Sequence, residues 1–149
     1  MRICFFGHRD LLVTCELKEE LTKILKERVC DDCEFLFGGY GAFDYLAYTC
    51  VSKIDFAYKI KMTYVTPYIT ESYLKNNVEY YRYKYDEVIY PEIENAPYRF
   101  AIFARNKWMI DHSDLIICYL DRPYGGAYNN IKRSINRVKI LNLGKLKLY

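Results

Sequence analysis

The sequence predicts an α/β fold: one domain spanning 1–149, with a mostly parallel sheet and helices on both faces. Three observations carry that reading. Strand-like and helix-like stretches alternate along the chain. The strand-like runs are apolar at consecutive positions, as strands buried on both faces are. Glycine-rich turns follow three of them, where a parallel layout needs crossovers into helices. The composition agrees: of 149 residues, 52% are hydrophobic and 28% charged. That is a globular balance, and the length suffices for a core without staples.

Residues 2–6 read as a buried strand. Leu17, Leu21, Ile24 and Leu25 then recur at helical spacing. Thr14 stands where an N-cap belongs, Glu16 falls in the first turn, and Lys26 and Arg28 lie near the end, each suited to the helix dipole. Residues 34–37 form a second strand. Phe43, Leu46, Ala47, Cys50, Val51 and Ile54 make one face of a second helix. Residues 61–66 are a third strand, stopped at Pro67. The stretch 68–98 carries eight tyrosines and no clean period; a helix near 73–84 and a short strand at 87–90 are expected there. From 99 to 112 the helical pattern returns, with Ile102, Phe103, Met109 and Ile110 aligned. Leu115 to Leu120 is the strongest strand. Tyr128, Ile131, Ile135 and Val138 mark a last helix, and 140–143 a last strand. This order is Rossmann-like, with right-handed crossovers.

Other classes fall away. No apolar run approaches the ~20 residues of a membrane helix. The N-terminus begins on a strand-like run and lacks the features of a signal peptide. A cytoplasmic protein is expected, its six cysteines reduced. The net charge of +3 is too small to imply a nucleic-acid partner by itself. Cys30 and Cys33 form a single C-x-x-C without the further ligands a zinc site needs, so no metal is expected and the pair reads as a loop. His112 reads as a helix end. The 17 tyrosines suit packing, and equally stacking on flat ligands.

In parallel sheets ligands bind beyond the C-terminal strand ends. Six of the seven glycines lie in three such loops: Gly7 before His8, Arg9 and Asp10; Gly38, Gly39 and Gly41 around Tyr40 and before Asp44; and Gly125 and Gly126 before Tyr128 and Asn129. One such loop alone would be only a tight turn. Three on one edge point to a ligand cleft. The loop at 38–41 opens a helix, where backbone N–H groups can approach a phosphate, yet it matches neither the dinucleotide fingerprint nor a P-loop. Asp44 is either a helix-terminal charge or an acceptor of ribose hydroxyls or protons. Arg9 offers a planar fork for a phosphate, or a surface pair with Asp10. His8 is either a hydrogen-bonding group for a base or sugar, or a satisfied structural histidine. Asn106 falls on the apolar stripe of its helix and needs partners there, in backbone or ligand; Arg105 beside it is placed to project over the cleft. The segment Tyr80 to Tyr85 alternates aromatics and cations, as a single-strand binder does, and equally as a half-buried helix or a dimer contact.

As a set and in this order, these motifs resemble the YpsA-like branch of the SLOG superfamily. They are Phe5-Phe6-Gly7-His8-Arg9, the loop from Gly38 to Asp44, Tyr85 to Pro91, Arg105 to Met109, Ser113 to Ile117, and Gly125 to Tyr128. The superfamily also holds the Lonely Guy phosphoribohydrolases and the DNA-processing protein DprA. The resemblance implies a Rossmann-like fold and a nucleoside phosphate, cyclic nucleotide or ADP-ribose derivative as ligand, held for sensing or sequestration. It implies no cofactor. Arg105 and Met109 match the Arg-Lys-x-x-Met-like helix of Lonely Guy enzymes, with Asn106 replacing the Lys. Gly125 and Gly126 match their glycine loop. Tyr128, Asn129 and Lys132 replace its third glycine, its Thr and its catalytic Glu. That loss speaks against the standard reaction, and Asp44 or Asp121 would have to supply the carboxylate. The expected site is therefore phosphate on the glycine loops, Arg9 and Arg105; ribose or base on Asp44 and Asn106; and Tyr40 or Tyr128 stacked on the base. A nucleotide hydrolase or phosphoribohydrolase using Asp44 and Arg105 is the alternative, and DprA-like single-strand DNA binding a further one. The tyrosine-rich middle could supply a homodimer contact, and no membrane association is expected.

Overall fold

Strand β1 (Arg2–Gly7) lies inside a six-stranded sheet, pairing in parallel with β2 (Cys33–Phe37) on one side and β5 (Leu115–Tyr119) on the other. The computed structural model describes residues 1–149, apart from the side chains of 78 and 79. Beyond β2 come β3 (Ile60–Val65) and β4 (Glu87–Ile89); beyond β5 comes β6 (Lys139–Asn142). Every pairing is parallel, in the order β4-β3-β2-β1-β5-β6. The sheet is therefore all-parallel, as the buried strands predicted. The chain builds outward from β1 to β4, then returns to pair β5 with β1. The strand order reverses between β1 and β5, and a crevice opens at such a point.

Alternation along the strands divides the core. Ile3, Phe5, Phe35, Phe37, Leu115 and Ile117 point to one face, with the buried residues of α1 (Cys15–Arg28) and α2 (Ala42–Lys53). Cys4, Phe6, Leu36, Ile116 and Cys118 point to the other, with Met109 and Ile110 of α5 (Ala101–Asp111) and Ile131 of α6 (Gly126–Lys132). Thr14 caps α1 as expected, its Oγ1 accepting from Leu17 N at 3.1 Å. After β6, Asn142 fixes the chain end. Its Oδ1 accepts from Leu120 N (2.8 Å) and Gly144 N (3.0 Å), and its Nδ2 donates to the carbonyls of Leu120 (3.0 Å) and Leu146 (2.8 Å).

The tyrosine-rich stretch forms α3 (Glu71–Tyr73), a π-helical turn (Leu74–Val78) and α4 (Glu79–Lys84), followed by β4. The π turn explains the missing period: one extra residue rotates the succeeding helix by about 100° around the axis. Much of the aromatic content packs. Tyr81 stacks on Tyr64 at 3.9 Å between ring centres, Tyr85 packs against Phe37 and Tyr48, and the Tyr64 and Tyr73 hydroxyls bond each other.

Two helices differ from the sequence reading. In α5 the buried positions are Ala101, Arg105, Met109 and Ile110, while Ile102 and Phe103 are 39% exposed. The buried stripe is turned by one residue because a polar side chain, Arg105, has partners inside. The last helix ends at Lys132 instead of running to Val138. There Ser134 Oγ donates to the carbonyl of Ile131 at 2.8 Å, and Asn136 adopts a left-handed φ of 70°. Ile135 and Val138 still pack against the core, from turns. Among the described residues no helix is long and apolar enough to cross a membrane.

Candidate functional site

A cleft of about 390 Å³ lies where the strand order reverses. Its size is that of a small-molecule site. Three glycine loops meet there, as expected: Gly7, His8 and Arg9 after β1; Gly38, Tyr40, Gly41 and Asp44 after β2; Gly125 and Gly126 after β5. Arg105 and Asn106 close it from α5. A broader depression of about 660 Å³ runs along the solvated lysines and glutamates of α1, far from these loops and with no buried polar group in its wall.

Arg105 is the central group. It is 3% exposed and bridges two strand ends. Its Nη1 donates to the carbonyls of Gly38 and Val65, both at 2.8 Å, and its Nε to Asn106 Oδ1 at 2.8 Å. These carbonyls stand just past β2 and at the end of β3, where buried backbone oxygens need donors. The partners are neutral; among the described residues no carboxylate comes within 4 Å of the guanidinium. Burial pulls the Arg105 pKa down, and the nearby Tyr64 and Asp44 oppose that. The sequence reading of α5 is thus corrected: the buried polar residue is Arg105, and Asn106 is the half-buried partner that orients it.

Asp44 holds a loop. Its Oδ1 accepts from Gly38 N and its Oδ2 from Gly39 N, each at 3.0 Å. Burial pushes its carboxyl up to about 6, against the pull of the Gly38 amide and the Arg105 charge. The N–H groups of Gly38 and Gly39 are committed to Asp44 rather than facing a phosphate. Each Asp44 oxygen accepts one backbone N–H and keeps a second acceptor site, and the carboxylate lines the cleft.

Gly39 faces away from the cleft: with φ +69°, a Cβ there would come within 2.6 Å of Tyr64 Cε2. Tyr128 packs against the core beneath α6, and Asn129 is exposed; neither lines the cleft, because the phase of α6 presents Gly126, Ala127 and Asn130 instead. Tyr40 does line it, with the Arg9 guanidinium 5.1 Å from its ring centre. Arg9 is therefore not the partner of Asp10. That role belongs to Arg122, whose Nη2 reaches Asp10 Oδ1 at 2.6 Å. Arg122 and Asn130 are lining residues that the sequence reading did not single out. Arg122 sits in the loop that follows β5, the signal that could have found it.

His8 is 3% exposed. Its Nε2 stands 3.1 Å from Asp121 Oδ1 without hydrogen-bond alignment, a contact that is an ion pair only when the imidazole is protonated. Burial and Arg122 lower its pKa, and Asp121 and Asp10 act against them. Lys132 lies outside the cleft, 6.0 Å from the Tyr128 ring. Cys30 and Cys33 form a turn before β2 with their sulfurs 3.9 Å apart, and His112 caps α5 while stacked on Trp108. Three arginines and one carboxylate line the cleft, and one of the arginines, Arg122, is paired with Asp10 and lies 3.8 Å from Asp121.

Comparison with known proteins agrees with this layout. The model of the YspA SLOG family (YpsA) matches residues 1–142. No curated protein matches the sequence. A similar solved structure is DNA processing protein A from Helicobacter pylori, described for its single-stranded DNA binding mode. It has 13% identity and a TM-score of 0.50, over 99% of this chain and 76% of that one. At that identity the likeness is one of fold.

Proposed function

The chain belongs to the YspA SLOG family, and on that premise we propose that its cleft binds a nucleotide-derived small molecule through an anionic group seated beside Arg105. The observation that carries this reading is the buried Arg105 guanidinium, which lines the cleft with neutral partners only. A buried cation with no carboxylate in contact is costly; Asp44 acts on it only from beyond 4 Å, and a ligand phosphate would pair with it directly. Arg9 adds a second cation at the rim, and Tyr40 a ring for a base. The uncapped start of α2 at Gly41 lies in the same wall. Binding would serve sensing or sequestration of the ligand, in a chain that folds as one domain and pairs as a homodimer. The test is thermal melting of purified protein with nucleoside phosphates, cyclic nucleotides and ADP-ribose. A ligand at a hundred times its Kd stabilises by about 2.7 kcal/mol. If no compound raises the melting temperature, the reading fails.

A second reading is single-stranded DNA binding, the property described for the Helicobacter pylori protein of similar fold. Tyr80 and Tyr83 are 64% and 94% exposed beside Arg82, as stacking platforms need. Tyr81 and Lys84 are engaged instead, the first stacked on Tyr64 and the second 4.0 Å over the Tyr48 ring. A gel shift that weakens with salt would favour it.

A further inference from the structure

We propose that His8 is a general base in this cleft, held by Asp121, and that the cleft hydrolyses a cyclic mononucleotide phosphodiester. The inference rests on the nucleotide-binding reading and adds a reaction to it. Asp44 is tied to the 38–39 loop by two backbone bonds. His8 lines the same wall, and its Nε2 makes no hydrogen bond among the described residues. It follows β1 directly, where its backbone N–H is fixed to the carbonyl of Tyr119. Asp121 sits 3.1 Å from Nε2, on the side from which a carboxylate can hold an imidazole that gains a proton. The other nitrogen, Nδ1, lies under Gly125: a Cβ there would stand 3.8 Å from it. Gly125 itself places no side chain over that nitrogen.

The charge of the cleft selects the reaction. Breaking an N-glycosidic bond passes through a cationic, oxocarbenium-like state. Arg9 and Arg105, which pair with no carboxylate among the described residues, would oppose it. Attack on phosphorus concentrates negative charge on the phosphoryl oxygens, which Arg105 would stabilise. A cleft of about 390 Å³ suits a mononucleotide. In the step, a water oxygen forms a bond to phosphorus while His8 Nδ1 takes the water proton. The phosphorus bond to one ribose oxygen breaks, and its electron pair stays on that oxygen. The oxygen then takes a proton from solvent, and His8 returns its own to solvent. Cyclic nucleotide and water give one nucleoside monophosphate.

The experiment incubates the full chain with cyclic AMP in oxygen-isotope-labelled water and follows AMP by chromatography and mass spectrometry. Binding of cyclic AMP and of AMP is measured separately by thermal melting. The expected result is AMP carrying one labelled phosphate oxygen. His8→Gln should lower the rate by about a hundredfold or more with cyclic AMP binding retained. Asp121 is a positioning residue on the surface, so Asp121→Asn should fold even if His8→Gln does not. The charged groups facing His8 are Asp121, Asp10 and Arg122. Losing the Asp121 charge should slow turnover and move the acid limb of the pH–rate profile to lower pH. Cyclic AMP bound without turnover overturns the catalytic inference and leaves the binding reading intact. Turnover undiminished in both variants overturns the role of His8. Failure of every nucleotide to bind overturns the binding reading, and this inference with it.

Discussion

The guanidinium of Arg105 occupies the space that a side chain on Gly38 would need. A Cβ on Gly38 would stand 3.2 Å from Arg105 Cζ and Nη2, while Nη1 donates to the Gly38 carbonyl at 2.8 Å. The two residues are 67 positions apart in sequence. One loses its side chain so that the other can tie the ends of β2 and β3 to α5 and still reach the cleft.

Gly38→Ala should therefore destabilise the fold by about 1–3 kcal/mol, the cost of forcing a group into a packed site. Arg105 is held by three hydrogen bonds and has little room to yield. Urea titration measures this. A neutral result would mean that the guanidinium moves freely, and the buried cation would lose its fixed place.

Two other glycines should behave in opposite ways. A Cβ on Gly7 would come within 2.3 Å of Phe43 Cβ, so Gly7→Ala should cost several kcal/mol or prevent folding. A Cβ on Gly126 would meet nothing within 4 Å. Gly126→Ala at the start of α6 should leave stability within about 1 kcal/mol of the parent. Melting temperatures of the pair give the contrast.

Arg9→Ala should leave the fold intact, since Arg9 is exposed and its cation rests on the ring of Tyr40. If the cleft binds an anionic nucleotide, its affinity should fall by about tenfold, near 1.4 kcal/mol. Calorimetric titration with the best nucleotide would show it. Unchanged affinity would place the anion away from this rim.

Burial raises the Asp44 carboxyl from its ordinary 3.8 to about 6. The folded state then holds this proton over a pH range in which the unfolded chain has released it. Stability from this group is full below the ordinary carboxylate range and is lost as pH rises through about 6. Relative to Asp44→Asn, the parent should lose up to about 3 kcal/mol between pH of about 4 and about 7. Denaturant melts of both proteins across that range test the sign. A difference that grows with pH would mean that the Gly38 and Gly39 amides outweigh burial.

Asn142→Asp should destabilise by about 2–4 kcal/mol. It keeps the acceptor for Leu120 N and Gly144 N but sets an oxygen against the carbonyls of Leu120 and Leu146, where an amide now donates. Loss of the two β6-side contacts should appear first as faster hydrogen exchange at residues 143–149.

The parts of the fold legible in the sequence were those set by local rules. Consecutive apolar residues in β1 and β5 marked strands buried on both faces, and Thr14 marked the start of α1. The glycines at 7, 38, 41, 125 and 126 marked strand-end loops, because turns of that kind have few alternatives. Where the local rule was interrupted, the reading slipped. A π turn at 74–78 hid the period of the tyrosine-rich helix. Ser134 and a left-handed Asn136 ended α6 well before Val138.

What the sequence by itself determined was the alternating α/β layout, the sheet edge on which the glycine loops gather, and family membership through motifs kept in order. What only the tertiary structure decided was which polar groups in that cleft are already spoken for. Asp44 and the amides of Gly38 and Gly39 satisfy each other, Asp10 goes to Arg122 rather than Arg9, and Arg105 rather than Asn106 is buried. Spacing along the chain fixes which element a residue rides on. Hydrogen-bond partners 40 or 67 residues away depend on how separate elements meet, and that is set by packing across the whole sheet.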